Sequence, residues 1–248
     1  MPIGRLLPNI LTMLGLCAGL TAIRFGIDGR FGDAAVSIAV AGAIDGLDGR
    51  LARLLRSTSR FGAEFDSLSD FLSFGVAPAF VLWSWSLQRA GGYGFVPCLL
   101  FAVCMALRLA RFNAALDRPS PHGPRFSLGV PAPAGAGLAL FPLFVGMEAR
   151  AMNWPWLEAE IRNPVLPAVV LIATACLLVS TLPVWSGKGL RLSRPAAMPV
   201  LLGSGLFAAF LVADPWAALA LAGIAYAAGL PIARRAAIRE ANMRGTRP

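Results

Sequence analysis

Eight stretches of this sequence are apolar enough to be read as membrane spans: about residues 7–26, 32–52, 66–88, 95–115, 132–149, 165–183, 197–213 and 216–234. A hydrocarbon layer of ~30 Å needs roughly 20 residues of helix, and most of the stretches are near that length. A chain that spends most of its residues this way has few folds open to it. Lipid offers no partners to peptide N–H and C=O groups, so only helices and closed barrels can span it. Runs this long predict an all-α fold, a polytopic membrane helical bundle of about eight spans. The composition agrees, with 57% hydrophobic and 14% charged residues and a mean hydropathy of +0.67, outside the usual range of a water-soluble domain. Residues 1–248 read as one membrane domain, with a core over about 5–190, two further spans over 197–234 and a short basic tail over 235–248. The first run is interrupted by Asn9 and Thr12 and lacks a small-x-small cleavage site, so it reads as a retained span.

Charge orients the bundle. With the N-terminus inside, Arg24, Arg30, Arg89, Arg150 and Arg162 fall on outer connections, and the other 17 of the 22 basic residues fall on inner ones. That asymmetry follows the positive-inside rule and places both termini in the cytoplasm of a multi-pass cytoplasmic (inner) membrane protein. The +9 balance reads as anchoring against anionic lipid, and no basic domain with interleaved aromatics stands apart to suggest nucleic acid. Trp83, Trp85, Trp154, Trp156, Trp185 and Trp216 lie near span ends, as interfacial tryptophans do. The Pro- and Gly-rich segment 119–133, with His122, Arg125 and Ser127, is long enough to cover a cytoplasmic site.

Against this background the acids are oddly placed. The chain holds aspartates at 28, 33, 45, 48, 66, 70, 117 and 214, and half of them lie between Asp45 and Asp70. Asp45 and Asp48 are three apart, while Gly62, Asp66 and Asp70 step by four, so each set forms a stripe on one helix face. Facing stripes would gather four carboxylates. Such a group is tolerable if it is protonated, paired with arginine or wrapped around cations. Hard oxygen donors in this number suit Mg²⁺, Mn²⁺ or Ca²⁺. Zinc is a poor fit, because His122 is the sole histidine and Cys17, Cys98, Cys104 and Cys176 make no Cys-x-x-Cys pair. Gly49 and Gly62 would admit a flat ligand to bare backbone, and Arg53 adds a fork suited to phosphate. Together these suggest a metal-bound diphosphate; the bland alternative is a set of solvated helix ends paired with Arg50, Arg53, Arg56 and Arg60.

The string Asp45-x-x-Asp48-Gly49-x-x-Ala52-Arg53-x8-Gly62-x-x-x-Asp66-x-x-x-Asp70 resembles, at every fixed position, the signature of the CDP-alcohol phosphotransferases. Leu7-Pro8-Asn9-Ile10-Leu11-Thr12, Ser59-Arg60-Phe61-Gly62, Asp66-Ser67-Leu68-Ser69-Asp70, Phe74-Gly75-Val76-Ala77-Pro78 and Arg108-Leu109-Ala110-Arg111-Phe112-Asn113 look more narrowly like its membrane-spanning phosphatidylserine synthase branch. The resemblance covers about residues 5–190. It implies a donor, CDP-diacylglycerol, an acceptor, L-serine, a pair of divalent cations (Mg²⁺ or Mn²⁺, with Ca²⁺ as an option) held by Asp45, Asp48, Asp66 and Asp70, and a homodimer. It further implies that Asp70 is the base and that Pro8, Asn9, Thr12, Asp45, Gly49, Ala52, Arg53, Gly62 and Asp66 approach the CDP. Arg108 and Arg111, three apart beside Asn113, are the candidates for the acceptor carboxylate, with positive-inside anchoring as their alternative. The same chemistry with glycerol 3-phosphate, inositol phosphate or choline is the runner-up; an ion-binding transporter or scaffold is the reading from another class. A phosphohistidine route needs paired His-x-Lys motifs, which one histidine and one lysine cannot supply.

Overall fold

The structure is a computed structural model and describes residues 7–55, 59–115, 126–185 and 194–245. Eleven helices follow in order: α1 Leu7–Ile27, α2 Phe31–Leu54, α3 Arg60–Asp70, α4 Ala77–Trp85, α5 Val96–Ala114, α6 Ala132–Ala139, α7 Phe141–Ala151, α8 Pro155–Ile161, α9 Val165–Val179, α10 Arg194–Ala213 and α11 Pro215–Gly245. A π-helical turn, Phe71–Val76, joins α3 to α4 without a break, and a 3₁₀ segment, Leu87–Phe95, leads into α5. The fold is all-α as expected, apart from a short antiparallel ribbon of β1 (Phe126–Leu128) and β2 (Pro183–Trp185), in which Ser127 faces Val184.

The expected runs coincide with these helices, but they do not all qualify as spans. Leu7–Ile27, Arg60–Trp85, Leu87–Ala114 and Pro215–Arg239 are long and apolar enough to cross a membrane. The bent pairs α6–α7 (45°) and α8–α9 (50°) raise the number to six if each is one broken span. Pro142 in the first turn of α7 and Pro164 just before α9 account for the bends, since proline offers no N–H to the preceding turn. Among the described residues, length and hydropathy thus support four to six of the eight expected spans. The apolar part of α10, Ala197–Ala213, is short, and α2 trades apolar length for Asp33, Asp45 and Asp48. The basic tail expected after Arg234 continues as α11 to Gly245.

Small residues decide how the helices meet. On α1 the buried positions are Pro8, Thr12, Gly15, Gly19, Ala22 and Gly26, one stripe repeating every three or four residues. Between membrane helices there is little hydrophobic gain to be had, so close backbone approach and dispersion drive association, and small residues permit both. A Cβ on Gly15 would meet Ile44 of α2 at 3.5 Å, one on Gly19 would lie 2.9 Å from Ser73 Cα in the π turn, and one on Gly26 would touch Val81 of α4 at 3.4 Å. Helix α1 is thus the seam joining α2 to the α3–α4 rod. Phe74, Leu82, Phe101, Met105, Leu143, Leu171 and Leu178 fill the centre. Leu20, Val36, Val103, Leu107, Leu202 and Leu206 are exposed, as a lipid-facing surface requires.

The tryptophans divide. Trp154 and Trp156 are exposed, fitting an interfacial role, but Trp85 is buried. Gly146 makes room for its ring, which a Cβ there would meet at 2.6 Å. Arg162 donates from Nε to the Trp85 carbonyl (2.9 Å), and Ser86 Oγ donates to the Arg162 carbonyl (2.9 Å), so the end of α4 is locked to the α8–α9 bend.

Candidate functional site

Helix α2 carries Asp45 and Asp48 one turn apart, and α3 carries Asp66 and Asp70. Ser59 starts α3, its side-chain oxygen accepting from the Gly62 amide at 2.9 Å, an N-cap that fixes the helix phase seven residues before Asp66. With that phase set, the two acidic stripes converge. One carboxylate oxygen from each of Asp45, Asp48 and Asp66 lies within 4.8 Å of the others. Asp70 lines the same narrow cavity, together with Thr12, Gly15, Ala41, Ser69, Ser73 and Phe74. Its volume of about 10 Å³ leaves room for roughly one water-sized occupant.

Helix α1 closes the cavity. The Thr12 hydroxyl donates to Asp48 Oδ2 at 2.8 Å and shares its proton with the Pro8 carbonyl at 3.1 Å. Both Thr12 and Asp48 are buried. Ser69 Oγ donates to the Thr12 carbonyl at 3.3 Å and Ser73 Oγ to the Gly15 carbonyl at 3.4 Å, pinning α3 and the π turn to α1. Asn9 stands beside Gly62, where a Cβ would meet its Oδ1 at 3.0 Å. Pro8, Asn9, Thr12, Gly62 and the acids are thereby brought together. Gly49 follows Asp48 on α2; the side chains of Ala52 and Arg53, and all of His122, lie outside the described residues.

Carboxylates this close in a desolvated place repel. Among the described residues the ion pairs are Arg24–Asp28 (3.8 Å) and Arg30–Asp33 (2.7 Å), neither of which involves the four acids. Three convergent hard oxygens with a fourth alongside fit a divalent cation such as Mg²⁺ or Mn²⁺ and suit zinc poorly.

The acceptor-side candidates separate. Arg111 donates to four backbone carbonyls, Val179 (2.9 Å), Ser180 (3.0 Å), Leu178 (3.3 Å) and Leu128 (3.4 Å), so it ties α5 to the end of α9 and the ribbon. The Asn113 amide donates to Ser67 Oγ at 2.9 Å, tying α5 to α3. Arg108 is different. It is within electrostatic range of Asp70 and Asp45, and its buried Nε makes no hydrogen bond among the described residues. Sequence reasoning missed Ser69 and Ser73, although both fall on the Asp66–Asp70 stripe and its period could have found them. It also missed Tyr226 of α11, a lone polar residue in an apolar run whose buried hydroxyl has no hydrogen-bond partner among the described residues.

A profile described as CDP-alcohol phosphatidyltransferase matches residues 5–180, which contain the whole acidic site. The chain belongs to the CDP-alcohol phosphatidyltransferase family. A second profile, CDP-alcohol phosphatidyltransferase 2, matches residues 196–231 in α10 and α11. Among curated relatives, the CDP-diacylglycerol--serine O-phosphatidyltransferase of Mycobacterium leprae is 36% identical over 92% of this chain and 74% of its own length. That of Mycobacterium bovis is 38% identical over 93% and 79%, and that of Helicobacter pylori strain 26695 is 33% identical over 73% of each. An archaetidylserine synthase of Methanothermobacter thermautotrophicus is 37% identical over about half of each chain. The protein is therefore a phosphatidyltransferase of this family, and its acidic cluster lies wholly within the part the family shares.

Proposed function

We propose that this phosphatidyltransferase moves the phosphatidyl group of CDP-diacylglycerol to the hydroxyl of L-serine, giving phosphatidylserine and CMP, at the cytoplasmic face of the inner membrane. The observation that carries the reading is the convergence of Asp45, Asp48 and Asp66 from two helices, with Asp70 in the same cavity but outside the trio. The names of the mycobacterial and Helicobacter relatives support serine as acceptor.

Asp45, Asp48 and Asp66, with help from Asp70, would hold a pair of divalent cations that neutralise the diphosphate and the departing CMP. Thr12 keeps the Asp48 carboxylate turned inward by donating to its Oδ2. Asn9 and the bare face of Gly62 border the CDP side, where Gly49, Ala52 and Arg53 also belong. Asp70 takes the proton of the serine hydroxyl as its oxygen attacks the phosphorus that bears the diacylglycerol. One P–O bond forms to serine, the P–O bond to CMP breaks, and CMP leaves with the electron pair. A carboxylate fully committed to a cation is a weak base, so the position of Asp70 outside the trio suits it to this task. Arg108 supplies the cation for the serine carboxylate. Arg111, with its donors already committed to carbonyls, has a positioning role instead.

The test is CMP release by purified enzyme from CDP-diacylglycerol with L-serine, glycerol 3-phosphate, inositol phosphate or choline offered singly. Release with serine alone is expected. Turnover with another acceptor and none with serine would refute the assignment while leaving the family chemistry intact.

A further inference from the structure

The matched segment 5–180 holds the four acids together with Asn9 and Gly62, and acceptor recognition can draw on a residue beyond it. Helix α11 supplies one. Tyr226 lines an apolar cavity of about 320 Å³ between α2, α6, α7 and α11, and it is the one polar side chain among the residues that line it. Phe74 lines both this cavity and the acidic one, so the two adjoin at its ring. Lipid tails and alanines cannot accept the tyrosine's proton. A buried hydroxyl inside a membrane bundle is retained where a polar partner arrives to meet it.

Tyr226 lies within electrostatic range of Arg108, whose Nε is likewise buried and unbonded among the described residues. Two donors without acceptors, from α5 and α11, point to an anion. Its place follows from Arg108, whose electrostatic neighbours among the acids are Asp70 first and then Asp45. In the proposed reaction Asp70 receives the acceptor's proton, so an anion beside it belongs to the acceptor.

We propose that Tyr226 is a specificity residue for the acceptor: its hydroxyl and the Arg108 guanidinium together bind the carboxylate of the incoming amino acid beside Asp70. The assignment rests on serine being the acceptor. A small donor-only subsite accounts for choosing an amino acid over an amino alcohol, since ethanolamine carries the same hydroxyl and ammonium but leaves both donors unanswered.

The experiment measures kcat/KM of the full-length enzyme for L-serine and for ethanolamine, with saturating CDP-diacylglycerol. Wild-type enzyme is expected to favour serine by about a hundredfold or more. Tyr226→Phe keeps the ring and removes the donor; it should cut that preference by about tenfold through a higher KM for serine, with kcat and the KM for CDP-diacylglycerol unchanged. An unchanged preference in Tyr226→Phe would overturn the assignment. Comparable use of serine and ethanolamine by the wild type would overturn it without any variant, should Tyr226→Phe prove unstable. Wild-type enzyme that ignores serine and uses another acceptor would instead defeat the proposed function, and the Tyr226 assignment with it.

Discussion

Thr12 and Asp48 form the contact on which the geometry of the acids turns. The Thr12 hydroxyl oxygen lies 2.8 Å from a buried carboxylate and donates to it, and no basic side chain among the described residues forms an ion pair with it. Thr12→Val keeps the shape and removes the donor. The expected result is a several-fold higher divalent-cation requirement for CMP release, with the KM for serine unaffected; cation titration of the variant checks it. Asp70 makes a different prediction. If it is the base, Asp70→Asn should lower kcat by about 10²–10⁴-fold at saturating cation while the unfolding midpoint survives. Near wild-type turnover in that variant would remove the base from the mechanism. The four aspartates were legible in the sequence because their spacings of three and four fit a helix face. Their separation into a trio and a neighbour was not, since spacing along a helix says nothing of which oxygen meets which across two helices.

At the scale of elements, the π turn after Asp70 does most to fix the site. It packs Ser73 against Gly19 so closely that a methyl group there would lie 2.9 Å from the Ser73 backbone. Gly19→Ala should therefore destabilise the protein by about 1–3 kcal/mol and displace Asp70 with the turn, lowering kcat more than a comparable change at lipid-facing Leu20. Unfolding and turnover measured on both variants decide it. Arg111 belongs here as well. Gly129, at φ +76, leaves the room its guanidinium needs, since a Cβ would lie 2.8 Å from Arg111 Nη2. Arg111→Ala strands carbonyls at the end of α9 and should cost about 2 kcal/mol or more, with loss of turnover tracking loss of folded protein. Arg108→Ala should do the reverse, raising the serine requirement in a stable protein. Sequence offered both arginines on one face of α5 as candidates for the acceptor carboxylate and could not separate them, because three residues of helix divide a guanidinium bonded to carbonyls from one within electrostatic range of Asp70. The π turn left no mark on the apolar pattern, which continues through Phe71–Val76 unbroken.

Across the whole molecule, the order of the long helices was legible from apolar runs, because a bundle built for lipid must bury its peptide groups in helices wherever the chain is apolar; the short α8, the start of α3 and the far end of α11, which are more polar, were not. The bends in α6–α7 and α8–α9 were not. They depend on prolines whose effect is set by the neighbours that take up the slack. The orientation argued from basic residues has its own check: a membrane-impermeant thiol reagent applied to intact cells should label a Tyr93→Cys variant, exposed before α5, and should label Ser59→Cys only after permeabilisation. The opposite pattern would invert the bundle and place the acids on the wrong side for a cytoplasmic nucleotide. All of these outcomes depend on the acids of α2 and α3 acting through divalent cations on a CDP-linked lipid. The most direct measurement is CMP release from CDP-diacylglycerol and L-serine by chelator-stripped enzyme titrated with Mn²⁺ or Mg²⁺. The account predicts no turnover without cation, restoration on addition, and a rightward-shifted titration for Asp45→Asn and Asp66→Asn; undiminished CMP release in excess chelator would contradict it.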